Sequence, residues 1–496
     1  MSLGELLVEN GLVTRDDVSH ALRHQRALGG RIGEILVAMG RIAIGDLKRV
    51  LNAVPEVPLT IAETGIDITL LLDLLLKAAQ SGAVDTAAKV AELLCLPQRV
   101  AQQLVDEAGE RQLIEVVGAV RTLTSAVPRF APTVKGRDWA QQALLRDAYL
   151  GPAPVPLAGF VDRIRRQAVG DERVPPEAVR RAFNDLTMPE AMVRRIGPAL
   201  NSARPMLLYG PPGNGKTSVA QRIGAVFRTT IYLPHCFEVG GQIVKVFDPN
   251  LHRRASPPIE EVGLGNIRAT PMDPRWVPCR RPFVVAGGEL TLEMLDLSFN
   301  AVAKFYEAPL HVKALNGTFL IDDFGRQLVQ PEALLNRWIV PMESRVDYLK
   351  LHTGRSFEIP FDALVIFSTN LSPGRLMDEA FLRRIPHKIE VKGPGREEYR
   401  TIFRRAAAAR GLDVGEEAID FLIAELTEHN DFPLAGYQPG FLLDQVLAIQ
   451  KYEGGPVRVD IDTLRFAIAN LYTEDAPGRR QPIDHGGAAP DLIRAA

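Results

Sequence analysis

The stretch LLYGPPGNGKTSVA, from Leu207 to Ala220, joins an apolar run to a loop of glycine and proline and then to a helical sequence. Its loop matches the phosphate-binding pattern GxxxxGK(S/T) in full. In such a loop, glycines let successive backbone N–H groups point at one phosphate, and the N-terminus of the next helix adds positive potential. The lysine is expected to reach the β- and γ-phosphates, and the threonine hydroxyl to bind Mg²⁺. The predicted nucleotide-binding residues are Gly210, Pro211, Pro212, Gly213, Asn214, Gly215, Lys216, Thr217 and Ser218.

Two later apolar runs end in the polar side chains that a nucleotide site needs. GTFLIDDFG places Asp322 and Asp323 after an apolar strand, and DALVIFSTN ends in Asn370. We expect Asp322 to hold Mg²⁺ through water, together with Thr217, and Asp323 to orient the attacking water. The Asn370 amide is placed to fix that water near the γ-phosphate. Together these motifs predict hydrolysis of ATP with Mg²⁺ as the metal.

The order of these motifs resembles that of the AAA+ ATPase core, over residues 188–472. The resemblance implies an α/β fold with a doubly wound parallel sheet over 188–395, which carries the nucleotide at the carboxyl ends of its strands, and a helical lid over 396–473. It also implies a ring oligomer, with a hexamer as the expected form, in which a neighbouring subunit supplies an arginine finger. In DEAFLRRIPHKIEV, Arg383 or Arg384 would be that finger, and a surface ion pair at a helix end is the other interpretation.

Two positions depart from the family's pattern. The second carboxylate after the strand is usually Glu, and Asp323 is one methylene shorter, so slow hydrolysis is expected. The lid usually offers a sensor arginine near the start of its third helix, whereas QPGFLLDQV, at 438–446, holds no basic residue. The resemblance therefore does not extend to this lid contact.

A hairpin is predicted before the strand that ends in Asn370. Alternating apolar residues flank HTGR, with Val346 and Tyr348 before it and Phe357 and Ile359 after it. This pattern resembles the pre-sensor hairpin of the AAA+ branch that includes MoxR-type chaperones, helicase loaders and enhancer-dependent sigma-factor activators. The GAFTGA loop of those activators is absent from the sequence, which disfavours a direct sigma-factor role.

The segment Val239–Val312 is interpreted as a long insertion before the Asp322 strand, and it contains DPRW at 273–276. An ordered insertion at this point would face the pore of a ring and touch a client protein. Packing as a subdomain is the alternative interpretation.

An internal repeat occupies the first residues. LGELLVENGLVTRDDVSHAL from Leu3 aligns with IGEILVAMGRIAIGDLKRVL from Ile32. The unit resembles the MshEN-type N-terminal domain of type II secretion and type IV pilus ATPases, here over 1–54, and some members bind cyclic di-GMP through arginine and glutamine side chains. Ser2 and Val54 stand where the motif has Arg and Gln, so a docking module is the alternative to a cyclic di-GMP sensor. The residues expected at such a site are Leu3, Gly4, Gly11, Gln25, Arg31, Ile32, Gly33 and Gly40.

Residues 62–150, after a linker at 55–61, resemble a winged helix. Two short helices that meet near Pro97, then strands and a TVKGR turn, carry this resemblance. The second helix of the pair is rich in carboxylates and offers a poor surface for DNA phosphates, so protein docking is favoured over DNA. DNA binding stays open because the expected wing holds four cations, Arg121, Arg129, Lys135 and Arg137.

Composition limits the remaining functions. The 496 residues carry 58 Lys and Arg against 60 Asp and Glu, so no overall basic charge draws the chain to nucleic acid or anionic lipid. The three cysteines form no CxxC pair, which argues against a zinc site or a disulfide framework. The most apolar stretch, 68–79, is too short to span a membrane and the N-terminus lacks a signal-peptide pattern, so a cytoplasmic protein without membrane insertion is predicted. Linker helices are expected over 151–187, and a disordered tail over 474–496.

The sequence thus predicts an oligomeric AAA+ ATPase that couples ATP hydrolysis to remodelling of a protein partner. Cyclic di-GMP at the N-terminal domain is a candidate regulator, with a link to pilus, secretion or signalling systems. The alternative is an ATP-dependent DNA-binding transcription regulator that acts through the winged helix.

Overall fold

The computed structural model describes residues 4, 7–8, 12–28, 32–43, 54–121, 126–255, 259–262, 266–269, 272–376, 379–429, 432–454, 458–474 and 480–482. Near the N-terminus, helix α1 spans Arg15–Leu28 and α2 spans Ile32–Ala38. Thr14 and Asp17 begin α1 with reciprocal bonds, since the Asp17 N–H donates to the Thr14 hydroxyl at 3.1 Å and the Thr14 N–H donates to the Asp17 carboxylate at 3.0 Å. The bonds from Thr14 lower the pKa of the Asp17 carboxyl.

The next part of the chain begins with a 3-10 turn, Ala62–Thr64, and continues as helices followed by a two-stranded antiparallel sheet and a further helix. These elements are α3 (Ile68–Gln80), α4 (Ala87–Leu93), α5 (Gln98–Glu110), β1 (Ile114–Arg121), β2 (Ala126–Pro132) and α6 (Val134–Arg146). The interpretation of TVKGR as a turn of the wing is wrong, because the Thr133 hydroxyl accepts from the Gly136 N–H at 3.1 Å and begins α6. Lys135 and Arg137 therefore lie on a helix and not on a wing.

A short strand and three helices lead from there to the central sheet. They are β3 (Val155–Pro156), α7 (Leu157–Arg166), α8 (Pro176–Ala182) and α9 (Glu190–Ser202), with a 3-10 turn at Val169–Asp171. The fully buried Asn316 fixes this segment, since its Nδ2 donates to the Ile164 carbonyl at 2.9 Å and to the Asp362 carboxylate at 2.6 Å. Burial raises the pKa of Asp362, which the bond from Asn316 opposes. The segment is therefore held against the core by satisfied buried polar groups.

The strands between residues 206 and 390 are β4 (Met206–Tyr209), β5 (Thr230–Pro234), β6 (Cys236–Val239), β7 (Gln242–Lys245), β8 (Ile259–Val262), β9 (Asn266–Ala269), β10 (Trp276–Arg280), β11 (Phe283–Ala286), β12 (Ser298–Asn300), β13 (Phe305–Glu307), β14 (Thr318–Ile321), β15 (Val346–Lys350), β16 (Ser356–Pro360), β17 (Leu364–Thr369) and β18 (His387–Glu390). The helices of this part are α10 (Lys216–Val226), α11 (Leu310–Lys313), α12 (Pro331–Ser344), α13 (Pro373–Leu376) and α14 (Glu379–Arg384), with a 3-10 turn at Glu293–Leu295.

Five of these strands form a parallel sheet in the order β11, β14, β17, β4, β18. A parallel sheet is covered on both faces, so its central strands are apolar along their whole length, and every residue of β14 and β17 is buried. Val219 and Ile223 of α10 belong to one core cluster on the sheet, and Leu334 and Trp338 of α12 belong to another. The predicted doubly wound α/β fold is confirmed.

The segment interpreted as one insertion, 239–312, is divided by a strand of the core. Phe283–Ala286 (β11) is the edge strand of the central sheet, so the interpretation of the whole segment as an insertion is wrong. Strands β7, β12 and β13 of this segment belong to a second sheet, in the order β12, β13, β7, β6, β3, while β10 pairs with β5 and β8 pairs with β9. The predicted hairpin is confirmed as β15 paired with β16, and its Leu349 and Ile359 share a buried cluster with Phe237 and Tyr306 of the second sheet. The second sheet therefore packs against the hairpin through this cluster.

A buried ion pair in DPRW, the Asp273–Arg275 pair, ties the second sheet to the preceding segments. Arg275 is 4% exposed and Asp273 is 2% exposed. The Arg275 Nη2 and Nε atoms donate to the Asp273 carboxylate at 2.7 and 3.0 Å, and its Nη1 donates to the carbonyls of Thr64 at 2.8 Å and Pro154 at 3.0 Å. The Asp273 N–H donates to the Pro55 carbonyl at 3.1 Å. One guanidinium group therefore joins three segments that are distant in sequence.

The chain continues with helices that have a hydrophobic core of their own. They are α15 (Arg396–Ala408), α16 (Glu416–Ala424), α17 (Gln438–Glu453) and α18 (Ile461–Ala469), with a π-helical turn at Glu425–His429. Two short antiparallel strands follow, β19 (Tyr472–Glu474) and β20 (Arg480–Pro482), while 475–479 and 483–496 of the predicted disordered tail lie outside the described residues. Within the described part of the chain, every helix falls short of the length and apolar character that a membrane crossing requires.

Candidate nucleotide site

The loop between β4 and α10 has the backbone that a phosphate cradle requires. Gly210, Gly213 and Gly215 have φ values of +142°, +74° and +78°, where residues with a side chain are strained. A Cβ atom on Gly210 would also lie 2.3 Å from the Val391 carbonyl oxygen. Helix α10 begins at Lys216, directly after the last of these glycines, so its first N–H groups face the loop. The loop therefore fits a nucleotide phosphate.

Lys216 is buried, and no carboxylate among the described residues lies within ion-pair distance of it. Its Nζ donates to the carbonyls of Gly210 and Pro211, both at 2.9 Å. Burial lowers the pKa of this ammonium group, and the negative charges of Asp323 and Asp322 oppose that shift. A phosphate in the loop would supply the negative charge that the lysine lacks.

Thr217 and Asp322 meet at the edge of the central sheet. The Thr217 hydroxyl donates to one carboxylate oxygen of Asp322 at 2.7 Å, and the Asp323 N–H donates to the other at 3.1 Å. Asp322 follows β14 directly, so it lies at the carboxyl end of a buried strand. Hydroxyl and carboxylate oxygens are ligands that suit Mg²⁺. These two side chains therefore fit a magnesium site beside the phosphate loop.

Asp323 and Asn370 also lie together, because β14 and β17 are neighbours in the sheet and end at the same edge. The Asn370 Nδ2 donates to the Asp323 carboxylate at 3.1 Å. Asp323 has a φ of +49°, a conformation that the surrounding turn maintains. In that turn the Phe324 N–H donates to the Ser368 carbonyl at 2.6 Å and the Thr369 hydroxyl donates to the Phe324 carbonyl at 2.7 Å. A carboxylate and an amide are thus held at positions suited to one water molecule.

The segment before α17 contacts the loop at a place that the sequence did not indicate. The Tyr437 N–H donates to the Gly213 carbonyl at 2.9 Å, and the Gly436 N–H donates to the Asn214 side-chain oxygen at 3.1 Å. A Cβ atom on Gly213 would lie 2.3 Å from the Tyr437 ring. The residues that make this contact are an uncharged Gly-Tyr pair before α17. The pair matches no known motif, so nothing in the sequence was a reason to expect the contact. The remaining predicted loop residues are Pro212, which is exposed, and Ser218, which is half-buried.

Arg383 and Arg384 lie at the end of α14 and differ in their partners. The Arg384 Nε donates to Glu343 of α12 at 2.5 Å, and its side chain is 29% exposed. Arg383 is 79% exposed and pairs with Glu379, one turn earlier on its own helix, at 3.6 Å. Exposed pairs of this kind contribute little free energy. Arg383 is therefore the one of the two that can exchange its partner at low cost.

The structure describes five of the eight residues that were predicted to bind cyclic di-GMP. Three of them lie outside the described residues: Leu3, Gly11 and Arg31. Gly4, Ile32 and Gly33 are buried, and Gly40 has a φ of +64° at the break after α2. Gln25 is 5% exposed. The described residues of this set therefore lie mainly inside the small N-terminal core, where glycine permits close packing.

The cations predicted for a DNA-binding wing have acceptors within their own segment. Arg129 pairs with Asp85 at 2.9 Å. Lys135 and Arg137 each donate to a backbone carbonyl, at 2.9 and 2.8 Å. The side chain of Arg121 lies outside the described part of the structure. Of these three cations, only Arg129 is neutralised by a carboxylate, because a backbone carbonyl leaves the charges of Lys135 and Arg137 in place.

Comparison with known sequences finds two local similarities. A family model described as a domain of unknown function (DUF8689) matches residues 395–470. The vesicle-fusing ATPase of Dictyostelium discoideum is 51% identical over 45 residues, and the vesicular-fusion protein sec18 of Schizosaccharomyces pombe is 49% identical over 45 residues. These matches span 9% of this chain and 6% and 5% of the two relatives, so they concern one short segment of each protein.

Solved structures resemble the chain loosely. The RuvB Holliday junction branch migration motor of Thermotoga maritima is 15% identical, with a TM-score of 0.31 over 57% of this chain and 70% of that chain. NtrX from Brucella abortus in complex with ATP is 15% identical, with a TM-score of 0.37 over 59% of this chain and 55% of that chain. The α/β fold rests on the strand order and register described above.

Proposed function

We propose that this chain is an AAA+ ATPase of the branch with a pre-sensor hairpin, which hydrolyses ATP with Mg²⁺ and uses the cycle to remodel a protein partner. The observation that carries the proposal is the convergence of three features at the carboxyl edge of one parallel sheet. These are the buried Lys216, the Thr217–Asp322 contact and the Asp323–Asn370 contact. The 45-residue similarity to two vesicle-fusion proteins supports the same conclusion.

In this proposal each side chain has a separate task. The loop N–H groups and Lys216 bind the β- and γ-phosphates, for which the lysine exchanges its two carbonyl acceptors. Thr217 and Asp322 would hold Mg²⁺, which neutralises charge on the phosphates when bound. Asp323 orients the attacking water, and the Asn370 amide keeps that carboxylate aligned.

We further propose that the chain acts as a ring in which Arg383 completes the site of a neighbouring subunit. Its exposure and its weak pairing with Glu379 support Arg383 over Arg384, which is tied to α12. Removal of an arginine finger lowers turnover by about 10³-fold or more. Arg383→Ala should lower turnover by this amount with nucleotide affinity kept, and mixed rings with a Lys216→Met chain should regain activity. Mixed rings that stay inactive would contradict action in trans.

The experiment that tests the ATPase assignment is steady-state phosphate release by the full chain and by Lys216→Met. Loss of a group that stabilises the transferred phosphate is expected to lower turnover by about 10²-fold or more. Lys392→Met is the matched control, because Lys392 is 75% exposed and pairs with Glu390 outside the loop. An unchanged rate in Lys216→Met would contradict the proposal.

A protein partner is favoured over DNA by the Arg129–Asp85 ion pair, by the carboxylates of α5, and by the helices and hairpin of residues 62–150, which we interpret as a winged helix used for docking. DNA retention by the full chain at moderate salt, lost in Arg129→Gln, would instead favour the regulator. A cyclic di-GMP site at the N-terminal repeat is the finer proposal; it rests on the sequence resemblance, and the burial of Gly4, Gly33 and Gln25 favours a packing role for these residues. Calorimetric titration of cyclic di-GMP, with Arg31→Ala as the control, tests it, and no binding heat would leave a docking module.

A further inference from the structure

A cavity of about 360 Å³ lies at the junction of three parts of the molecule, away from the phosphate loop. The end of α6 forms one wall with Leu145 and Arg146. The turn between β12 and β13 contributes Ala301 and Lys304, and the tip of the β15–β16 hairpin contributes His352. Helix α6, the second sheet and the β15–β16 hairpin therefore all line this cavity.

Cationic and neutral groups line this cavity, and no carboxylate is among them. Lys304 reaches across the junction, and its Nζ donates to the Leu145 carbonyl at 2.7 Å. Arg146 donates one nitrogen to Asp73 at 2.7 Å, and its side chain stays 53% exposed. A backbone carbonyl neutralises no charge, so Lys304 keeps its full positive charge beside the partly paired Arg146. The side chains that line the cavity therefore carry positive charge and no negative charge.

His352 adds a fixed hydrogen-bond donor. The His352 ring stacks on Phe299 with 4.2 Å between centroids, and the backbone N–H of His352 donates to the Tyr306 hydroxyl at 2.9 Å. The same hydroxyl contacts the ring Nδ1, so it can donate its own proton to that nitrogen. When this hydroxyl donates to Nδ1, the ring proton lies on Nε2, which has no hydrogen-bond partner among the described residues. The stacked, hydrogen-bonded ring holds this donor in place without help from a ligand.

We propose that this cavity binds a small anion that carries a phosphate or a carboxylate group, with Arg146, Lys304 and His352 as its donors. Positive side chains from two different segments and a preoriented imidazole are what such a group requires. The proposal concerns a second site and does not depend on the ATPase assignment. It also suggests a regulator, because the hairpin that carries His352 leads through β16 into β17, the strand that ends before Asn370.

The test is titration of the full chain with inorganic phosphate and, separately, with succinate, in the presence of a saturating non-hydrolysable ATP analogue that fills both phosphate positions of the loop. Ala301→Glu places a negative charge in the cavity at an exposed turn position and removes no side-chain contact. Val302→Glu is the matched control, because Val302 is the next residue, is 91% exposed and does not line the cavity. Thermal melting of both variants checks that they fold.

The expected result is saturable binding that Ala301→Glu weakens by about tenfold or more and that Val302→Glu leaves within about twofold, since like charges repel strongly only at short range. Binding of phosphate alone would assign a phosphorylated ligand, and binding of both anions would admit a carboxylate. Equal affinity in the two variants would overturn the site. Failure of both anions to bind the wild-type chain would also overturn it.

Discussion

Two buried cations show how differently this molecule uses the same type of side chain. Lys216 is 6% exposed and Arg275 is 4% exposed. Arg275 has its own carboxylate, Asp273, and two backbone carbonyls, so all three of its nitrogen atoms have acceptors. Lys216 has two carbonyls and, in the described part of the chain, no ion-pair partner.

The difference separates a structural group from a functional one. A buried charge that is fully paired has nothing to gain from a ligand, whereas a buried charge held by neutral acceptors gains from any anion that reaches it. Burial alone would have ranked Arg275 and Lys216 together. The chemical nature of the acceptors is what distinguishes the nucleotide site from the Asp273–Arg275 pair.

The comparison predicts that removing the charge of Arg275 lowers the stability strongly and that removing the charge of Lys216 hardly changes it. Arg275→Met should lower the free energy of unfolding by about 3–5 kcal/mol, because it leaves the Asp273 carboxylate buried and unpaired. Lys216→Met should change it by less than about 1 kcal/mol, because the carbonyls that lose a donor lie in a loop open to water. Urea unfolding of the two variants measures this, and a larger loss in Lys216→Met would break the comparison.

Within the nucleotide site, Asp323→Asn should lower turnover by about 10²-fold and leave nucleotide affinity nearly unchanged, since it removes the charge that orients the water. Stability should not fall, because the Asn370 amide can still donate to the remaining oxygen. Phosphate release and nucleotide titration check this together. Equal losses of turnover and affinity would place Asp323 with the ligand-binding groups instead.

A third buried charge, Asp347 of β15, extends the comparison, because its contribution to stability should depend on pH. Burial raises its pKa, but bonds from His311 at 2.7 Å and from Arg337 at 2.7 Å outweigh burial and set the pKa to about 2. Because the folded pKa lies below the unfolded value, this stabilisation is present above about pH 4 and is lost as the pH falls toward 2. About 2 kcal/mol should disappear over that window.

Urea unfolding between pH 5 and pH 2.5 measures the effect, with Asp347→Asn as the control that lacks the titrating group. The variant should be less stable than the wild type at pH 5 and should show a shallower loss on acidification. Parallel pH curves for the two proteins would show that other carboxylates dominate.

The smallest expected effect concerns the arginines of α14. Arg384→Ala removes an ion pair that is partly exposed and should cost less than about 1 kcal/mol of unfolding free energy. Arg383→Ala should leave stability unchanged within error, because its pair with Glu379 is almost fully exposed. Thermal melting compares them, and a clear loss in Arg383→Ala would argue for a structural role.

The sequence predicted best those features that depend on local pattern. The phosphate loop and the β15–β16 hairpin each follow from residues that are adjacent in the chain, and the structure brings Asp322 and Asp323 to the sheet edge beside that loop. Strand β11 was missed, because four residues inside a long segment reveal their parallel pairing with β14 only in three dimensions. The start of α6 was missed because Thr133 as a helix cap and Thr133 in a turn look alike in sequence.

Long-range polar contacts were beyond reach for a different reason. Arg275 was noticed as part of DPRW, but its acceptors are the backbone carbonyls of Thr64 and Pro154, and carbonyls are present at every residue. The contact of Tyr437 with Gly213 is likewise made through the backbone. No residue type marks such a bond, so no sequence pattern can predict it.

Strand β3 has a practical consequence for work with parts of this chain. Val155 pairs with Phe237 in the second sheet, and Phe160 of α7 stacks on the same Phe237 ring at 4.8 Å. A fragment that begins at residue 188, where the sequence resemblance starts, would leave the edge of β6 unpaired and this ring uncovered, and open apolar edges promote aggregation. A fragment that begins at residue 151 keeps both of these contacts, but it loses the Thr64 carbonyl that accepts from Arg275.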